Sequence, residues 1–288
     1  ACATILRGAM DGLGAAPPWR DPDYAGLRRS LALEPPGGAE GVLDLDGHFG
    51  LHPALAPLHA RYKAGEFILF HAVATPYRDR SHFDAQDLLE NGTLRPRGAS
   101  DGWLNRALGA YGPAGARLGL AVGQQVPLLL RGDVAVASWA PSVLPATSPD
   151  FMRKVAIMWQ RDPLLSGALS EAVKAQAMSD EVLGADGKAM KGGAGRYAAL
   201  AAYSEAAGKL LAAPEGPRVA VIESGGWDTH SGQGKLTGRL AAALEGLGQG
   251  LDGLAKGLGP AWSKTVVLCM TEFGRTVAVN GTAGTDHG

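Results

Sequence analysis

The sequence predicts an α/β fold: an open, mostly parallel sheet flanked by helices. Three observations carry this expectation. Short runs rich in β-branched residues are apolar on both faces, as strands covered by helices on each side are. Stretches with helical periodicity lie between them. The two patterns alternate along the chain, which is the rhythm of βαβ units.

Residues 3–7 form the first apolar run, ended by Gly8. Residues 67–73 (FILFHAV), 218–222 (RVAVI) and 265–270 (TVVLCM) form the next three. Helical patterns span 52–65, where Pro53 suits a first turn, then 81–91, 150–161, 196–211 and 236–258. Residues 118–139 hold three strand-like pieces, broken at Gln124-Gln125, Pro127 and Gly132-Asp133. They are expected to form a β excursion at the sheet edge. Residues 150–214 are mostly helical and are expected to be a cap insertion over the sheet. The run Gly192-Gly193-Ala194-Gly195 follows no strand, so it reads as a flexible linker and not as a phosphate loop. Residues 1–288 are expected to form one domain. The chain begins within a strand pattern and ends just after Asp286-His287, so it reads as a C-terminally incomplete fragment.

Composition narrows the function. Among 288 residues, 27 Lys and Arg face 28 Asp and Glu, a net charge of −1. Nucleic-acid binding is not expected, because neutralising phosphates needs a surplus of cations. No apolar run approaches about 18 residues, so no transmembrane segment is expected. Cys2 and Cys269 are far apart in apolar runs and read as buried thiols, with no disulfide framework or cysteine zinc site.

Ligand sites in open α/β sheets form beyond the carboxyl ends of the strands. Asp11 follows the first strand. Thr75, Arg78, Arg80, Ser81 and His82 follow the second. Asp228 and His230 follow the third. Glu272 and then Asp286-His287 follow the fourth. Carboxylates and imidazoles are ordinary ligands of zinc, and carboxylates suit calcium, magnesium or manganese. Acidic groups meeting at one edge repel unless cations neutralise them, and two adjacent metals can clamp the oxygens of a displacement at phosphorus. A serine at a helix start is a reasonable nucleophile there. Each piece also has a plainer reading. Ser81 through Asp84 fits a capping box, Asp11 before Gly12 fits a turn, and Asp228 to His230 fits a loop and cap. His48, His52, His59 and His71 read as structural, while His82 could line the site. No Gly-x-Ser-x-Gly elbow is present.

The segments LRGAMDGL, RSHFDAQDLLENGT, GGWDTH and TEFGRT with the following DHG resemble the bacterial family called domain of unknown function 1501. That family is grouped with the alkaline phosphatase and sulfatase superfamily, and its members are commonly exported by the twin-arginine route. The resemblance implies an alkaline phosphatase-like fold and a periplasmic or extracellular location. It places Asp11, Asp228, His230, Asp286 and His287 as ligands of two divalent ions, Ser81 as nucleophile, and Arg78 or Arg80 as holders of an anionic substrate. Two departures stand out. His230 follows Asp228 by two positions where the superfamily usually spaces the pair by four, and Glu272 is an alternative ligand at the fourth strand. The expectation is a metal-dependent hydrolase of small phosphate or sulfate esters, including phosphorylated or sulfated glycans, with Ser81 attacking and Thr75 in reserve. The rivals are a non-catalytic exported protein of the same fold that binds a surface glycan or partner protein, and a phosphomutase-like transferase.

Overall fold

The structure is a computed structural model, and it describes residues 1–111, 118–140, 147–189 and 196–288, with the side chains of 184–199 left aside. A five-stranded parallel sheet organises the described residues. Its strands are β1 (Cys2–Arg7), β4 (Gly119–Val122), β5 (Val136–Trp139), β6 (Val219–Gly225) and β7 (Val267–Met270), in the order β5-β4-β6-β1-β7. A separate antiparallel pair joins β2 (Leu43–Asp44) to β3 (Gly50–Leu51). The helices are α1 (Gly12–Ala15), α2 (Tyr24–Arg28), α3 (Ala56–Lys63), α4 (His82–Asn91), α5 (Trp103–Tyr111), α6 (Pro149–Trp159), α7 (Pro163–Ala189), α8 (Arg196–Ala212) and α9 (Arg239–Leu258).

Strand side chains alternate between two faces, and each face has its own core. Cys2, Leu120, Ala220 and Ile222 pack against α8 and the end of α9, while Leu6 meets the middle of α9. Ala3, Ile5, Ala121 and Val221 pack against Leu108 of α5 and the turn at Leu129 and Leu130. Helix α9 presents Leu240, Leu244, Leu247, Leu251, Leu254 and Leu258, spaced four and three apart, as one buried stripe. Its glycines cost helix propensity but admit α8 closely: a Cβ on Gly257 would lie 2.1 Å from the Glu205 carbonyl oxygen.

Several expectations change here. Residues 67–73 are not a strand. Phe67 and Leu69 turn toward the core, but Ile68 and Phe70 are 70% and 73% exposed, so the run is covered on one side only. His71 is therefore exposed, and it stacks on Phe49 with ring centroids 3.9 Å apart. Residues 118–139 supply the two strands at one edge of the sheet, with β5 outermost. Their first piece is β4, buried throughout and paired to both β5 and β6; their middle piece is a short 3-10 turn, Leu128–Leu130. Within 150–214, α8 lies on the sheet against α9 and so belongs to the sheet's helical layer. The run 192–195 lies outside the described residues. Burial pushes the Cys2 thiol up to about 12, as expected. Cys269 is instead exposed, because β7 is an edge strand with one neighbour.

Candidate functional site

Because the strands are parallel, the carboxyl ends of β1, β6 and β7 open on the same edge, and the loops after them converge there. Gly8 makes the convergence possible. It takes a positive φ of 122°, and a Cβ there would lie 2.5 Å from the Asp228 amide nitrogen. Only glycine lets the β1 turn and the β6 loop approach so closely.

Three imidazoles meet one carboxylate at this edge. His82 Nε2 lies 3.5 Å from Asp228 Oδ2, His230 Nε2 lies 3.1 Å from Asp228 Oδ1, and His287 Nε2 lies 3.6 Å from the same oxygen. The Nε2 atoms of His230 and His287 are 2.9 Å apart. Phe273 packs its ring against His82 and His287.

The other nitrogen of each ring is already committed. His82 Nδ1 donates to Glu272 Oε1 at 2.7 Å, His230 Nδ1 donates to Asp286 Oδ1 at 3.0 Å, and His287 Nδ1 donates to the Arg80 carbonyl at 2.9 Å. A carbonyl can only accept. The two carboxylates are held ionised. Burial works to raise the Glu272 carboxyl, but bonds from Gln86, its own backbone, His82 and the Gly8 amide together hold it below the usual range. Bonds from Asn280 and His230 hold Asp286 down. With Nδ1 donating, the neutral form of each ring has its lone pair at Nε2, and the three Nε2 atoms share the same space. His82 Nε2 is buried and has no hydrogen-bond partner. Two facing lone pairs at 2.9 Å repel unless a cation stands between them. Ligand atoms on a tetrahedral ion at about 2.0–2.1 Å sit roughly 3.3 Å apart, close to these separations. The atoms of His82, Asp228 and His287 all lie within 4.8 Å of one another.

Asp228 is the common partner, and burial works to raise its carboxyl, yet the Arg275 guanidinium bonded to it holds it low. The Arg275 guanidinium is fully buried, bonds Asp228 Oδ1 at 2.9 Å, and holds the Thr285 hydroxyl and the Gly8 carbonyl.

The remaining residues singled out in the sequence fall around this centre. Ser81 precedes α4, between Arg80, whose carbonyl holds His287, and His82. Its side chain makes no capping bond, so the hydroxyl is not consumed by the helix. Arg80 is exposed, at a φ of 58°. Arg78 turns back on its own loop and donates to the Thr75 and Tyr77 carbonyls. Glu272 and Asp286 orient histidines from behind. Asp11 stands apart: fully buried, it pairs with Arg28 and accepts from Gln233 Nε2 at 2.6 Å. His52 and His59 make structural bonds to the Lys235 and Asp44 carbonyls. Gln86 and Arg275 carry no sequence motif of their own, and His82 is more central to the cluster than its sequence position suggests. The signal for His82 was its place beside Ser81. Arg275 carried none beyond lying within TEFGRT.

Fold and cluster together define an α/β protein with an open parallel sheet and a His/Asp centre at the carboxyl ends of its strands. The chain belongs to the family described as protein of unknown function (DUF1501), whose model matches residues 69–288. Asp11 lies before the matched residues, whereas Ser81 and the cluster lie within them. No curated protein and no solved structure matches the chain. No helix among the described residues is long and apolar enough to cross a membrane.

Proposed function

We propose that this chain is a metal-dependent hydrolase of phosphate or sulfate esters, on an alkaline phosphatase-like fold and exported to the periplasm or beyond. The observation that carries the reading is the set of three Nε2 atoms gathered on Asp228, each ring held from behind by a carboxylate or carbonyl. Rings held in this way are the usual pattern of metal-binding histidines. The residues fit one divalent ion at His82, His287 and Asp228, with His230 beside them, better than the pair of ions expected from the family resemblance. Three imidazoles and a carboxylate suit zinc, and also manganese. When bound, the ion supplies Lewis-acid stabilisation of charge developing on an ester oxygen.

The chain's own residues supply the rest. Ser81 Oγ, unconsumed at the head of α4, would attack phosphorus or sulfur and lose its proton as the alcohol departs with the bridging oxygen; water would then cleave the Ser81 ester, releasing the acid and restoring the hydroxyl. The first amides of α4 favour the anion there. Arg80, with no bonded side-chain partner among the described residues, is placed to draw in the charged group. Glu272 and Arg80 keep His82 and His287 in one tautomer, so neither ring turns its N–H toward the centre.

The non-catalytic alternative, an exported protein that binds a glycan or partner, draws on one observation. Arg275 already neutralises Asp228, so part of the cluster's charge is balanced without a cation. Elemental analysis of dialysed protein separates the readings. We expect one zinc or manganese per chain, lost in His287→Ala. Ser81→Ala is expected to keep the metal and abolish turnover of 4-nitrophenyl phosphate or sulfate. Native protein that takes up no metal, even when it is supplied, would hand the cluster to the non-catalytic reading. Unchanged turnover in Ser81→Ala would sink the nucleophile.

A further inference from the structure

The geometry points to a second subsite beside the histidine cluster, one that takes a sugar ring carrying the ester. It deepens the hydrolase reading by assigning the alcohol half of the substrate. A cavity of about 300 Å³ opens on the same edge of the sheet, beyond the ends of β1, β4 and β6. That is the lower end of the size range for small-molecule sites, enough for one hexose.

Helix α4 forms the partition between cavity and cluster. Phe83, Gln86, Asp87 and Glu90 line the cavity at i, i+3, i+4 and i+7, one face of the helix. His82, one position earlier, belongs to the cluster. Gln86 joins the two directly: its Nε2 donates to Glu272 Oε1 at 2.8 Å, and its Oε1 accepts from Arg7 at 2.8 Å. Glu272 Oε1 is the atom that holds His82. A substrate with its ester at the cluster therefore has its leaving group within reach of the cavity.

The walls suit a polyol. Glu90 is buried and gives one oxygen to Arg7 and the other to the Leu129 amide, so it fixes the wall and is not itself available. What remains alternates between acceptors and donors. Glu223 reaches Arg7 through Oε1 only, leaving Oε2 open. Arg131 spends its Nε on the Val126 carbonyl, and its two Nη groups have no partner among the described residues. Gln125 adds an exposed amide. Hydroxyls both donate and accept, so they can match such a lining where a purely apolar group cannot. At the mouth stands Phe83, 86% exposed at the N-terminal turn of α4. Its position in the wall gives it a ring face on which the C–H side of a sugar can pack.

The experiment uses metal-loaded protein carrying fluorophenylalanine, with the Phe83 resonance assigned from Phe83→Leu. Glucose 6-phosphate and glucose 6-sulfate are titrated beside methyl phosphate and glucose. We expect the preferred sugar ester to shift the Phe83 resonance and to bind several-fold to about tenfold tighter than methyl phosphate. Phe83→Ala and Arg131→Ala should erase most of that advantage, while metal content stays at the wild-type value. Equal binding of sugar ester and methyl phosphate, or an advantage that survives both substitutions, would overturn the subsite. If no ester binds yet glucose moves the Phe83 resonance, the subsite stands and the ester reading falls. If neither ester nor glucose is felt at Phe83, the subsite falls whatever the metal content.

Discussion

Two acidic strand-end residues, Asp11 and Asp228, begin from the same expectation and end in opposite environments. Both follow parallel strands, and both were expected to hold metal. Asp11 is sealed with Arg28 at no exposure, and Arg28 also donates to the Thr276 and Val277 carbonyls. Asp228 is half-buried and faces three imidazole nitrogens besides its arginine. The difference teaches that a carboxylate's role at a strand end is decided by what the neighbouring loops bring to it. Around Asp11 they bring a cation and an amide. Around Asp228 they bring lone pairs, which only a proton or a metal can reconcile.

The two aspartates are not independent. Asp11 accepts from Gln233, whose Oε1 takes the hydroxyls of Thr229 and Thr285, and Thr285 accepts from Arg275, the partner of Asp228. The closed pair thus anchors the loops that the open cluster depends on. Asp11→Ala is the strongest test of this division. It leaves a buried guanidinium unpaired, and we expect a loss of about 3–5 kcal/mol in denaturant unfolding. Metal content per folded chain should persist. Loss of metal at unchanged stability would mean that Asp11 is a ligand after all, and the contrast would collapse.

Glu272→Gln acts from the other side. The amide keeps the shape but removes the charge that holds the His82 tautomer. Metal affinity should fall by about 10- to 100-fold, with much less effect on unfolding than Asp11→Ala has. A competition titration against a chelator reads the change. An affinity equal to wild type would show that His82 needs no ionised partner, and the oriented-ring argument would weaken.

How much of this was legible depended on whether local pattern and final environment agreed. The runs that became β1, β6 and β7 were apolar on both faces, and all three joined the parallel sheet. Residues 67–73 looked the same, yet among the described residues they pair with no strand, and Ile68 and Phe70 stayed in solvent. Helix α5 was missed because its short apolar spacing lies between turn-rich stretches. The direction of each side chain at the site was beyond reach. Ser81-His82 reads as a capping box in sequence, and only the fold shows Ser81 uncapping and His82 turned to Glu272. The partnership of Asp11 with Arg28 joins the N-cap of α1 to the last residue of α2, two helices too short to leave a periodic signal, so nothing in the sequence announced it.

His52 extends the contrast to a histidine whose two nitrogens are both satisfied. Nδ1 accepts from the Ala54 amide at 3.0 Å, and Nε2 donates to the Lys235 carbonyl at 2.8 Å. Burial lowers its pKa below the ordinary value, outweighing the bond to Lys235. The unfolded chain therefore takes up the proton more readily than the folded one. The contribution of His52 to stability is complete above about pH 6.5 and declines as pH falls toward the lowered value. His52→Asn keeps a cap acceptor for Ala54 but cannot reach Lys235, and should cost about 1 kcal/mol at neutral pH. Unfolding midpoints measured from pH 7.5 to 5 in the presence of a chelator should then fall less steeply in the variant than in the wild type. An unaltered slope would show that His52 is not the group through which acid destabilises the fold.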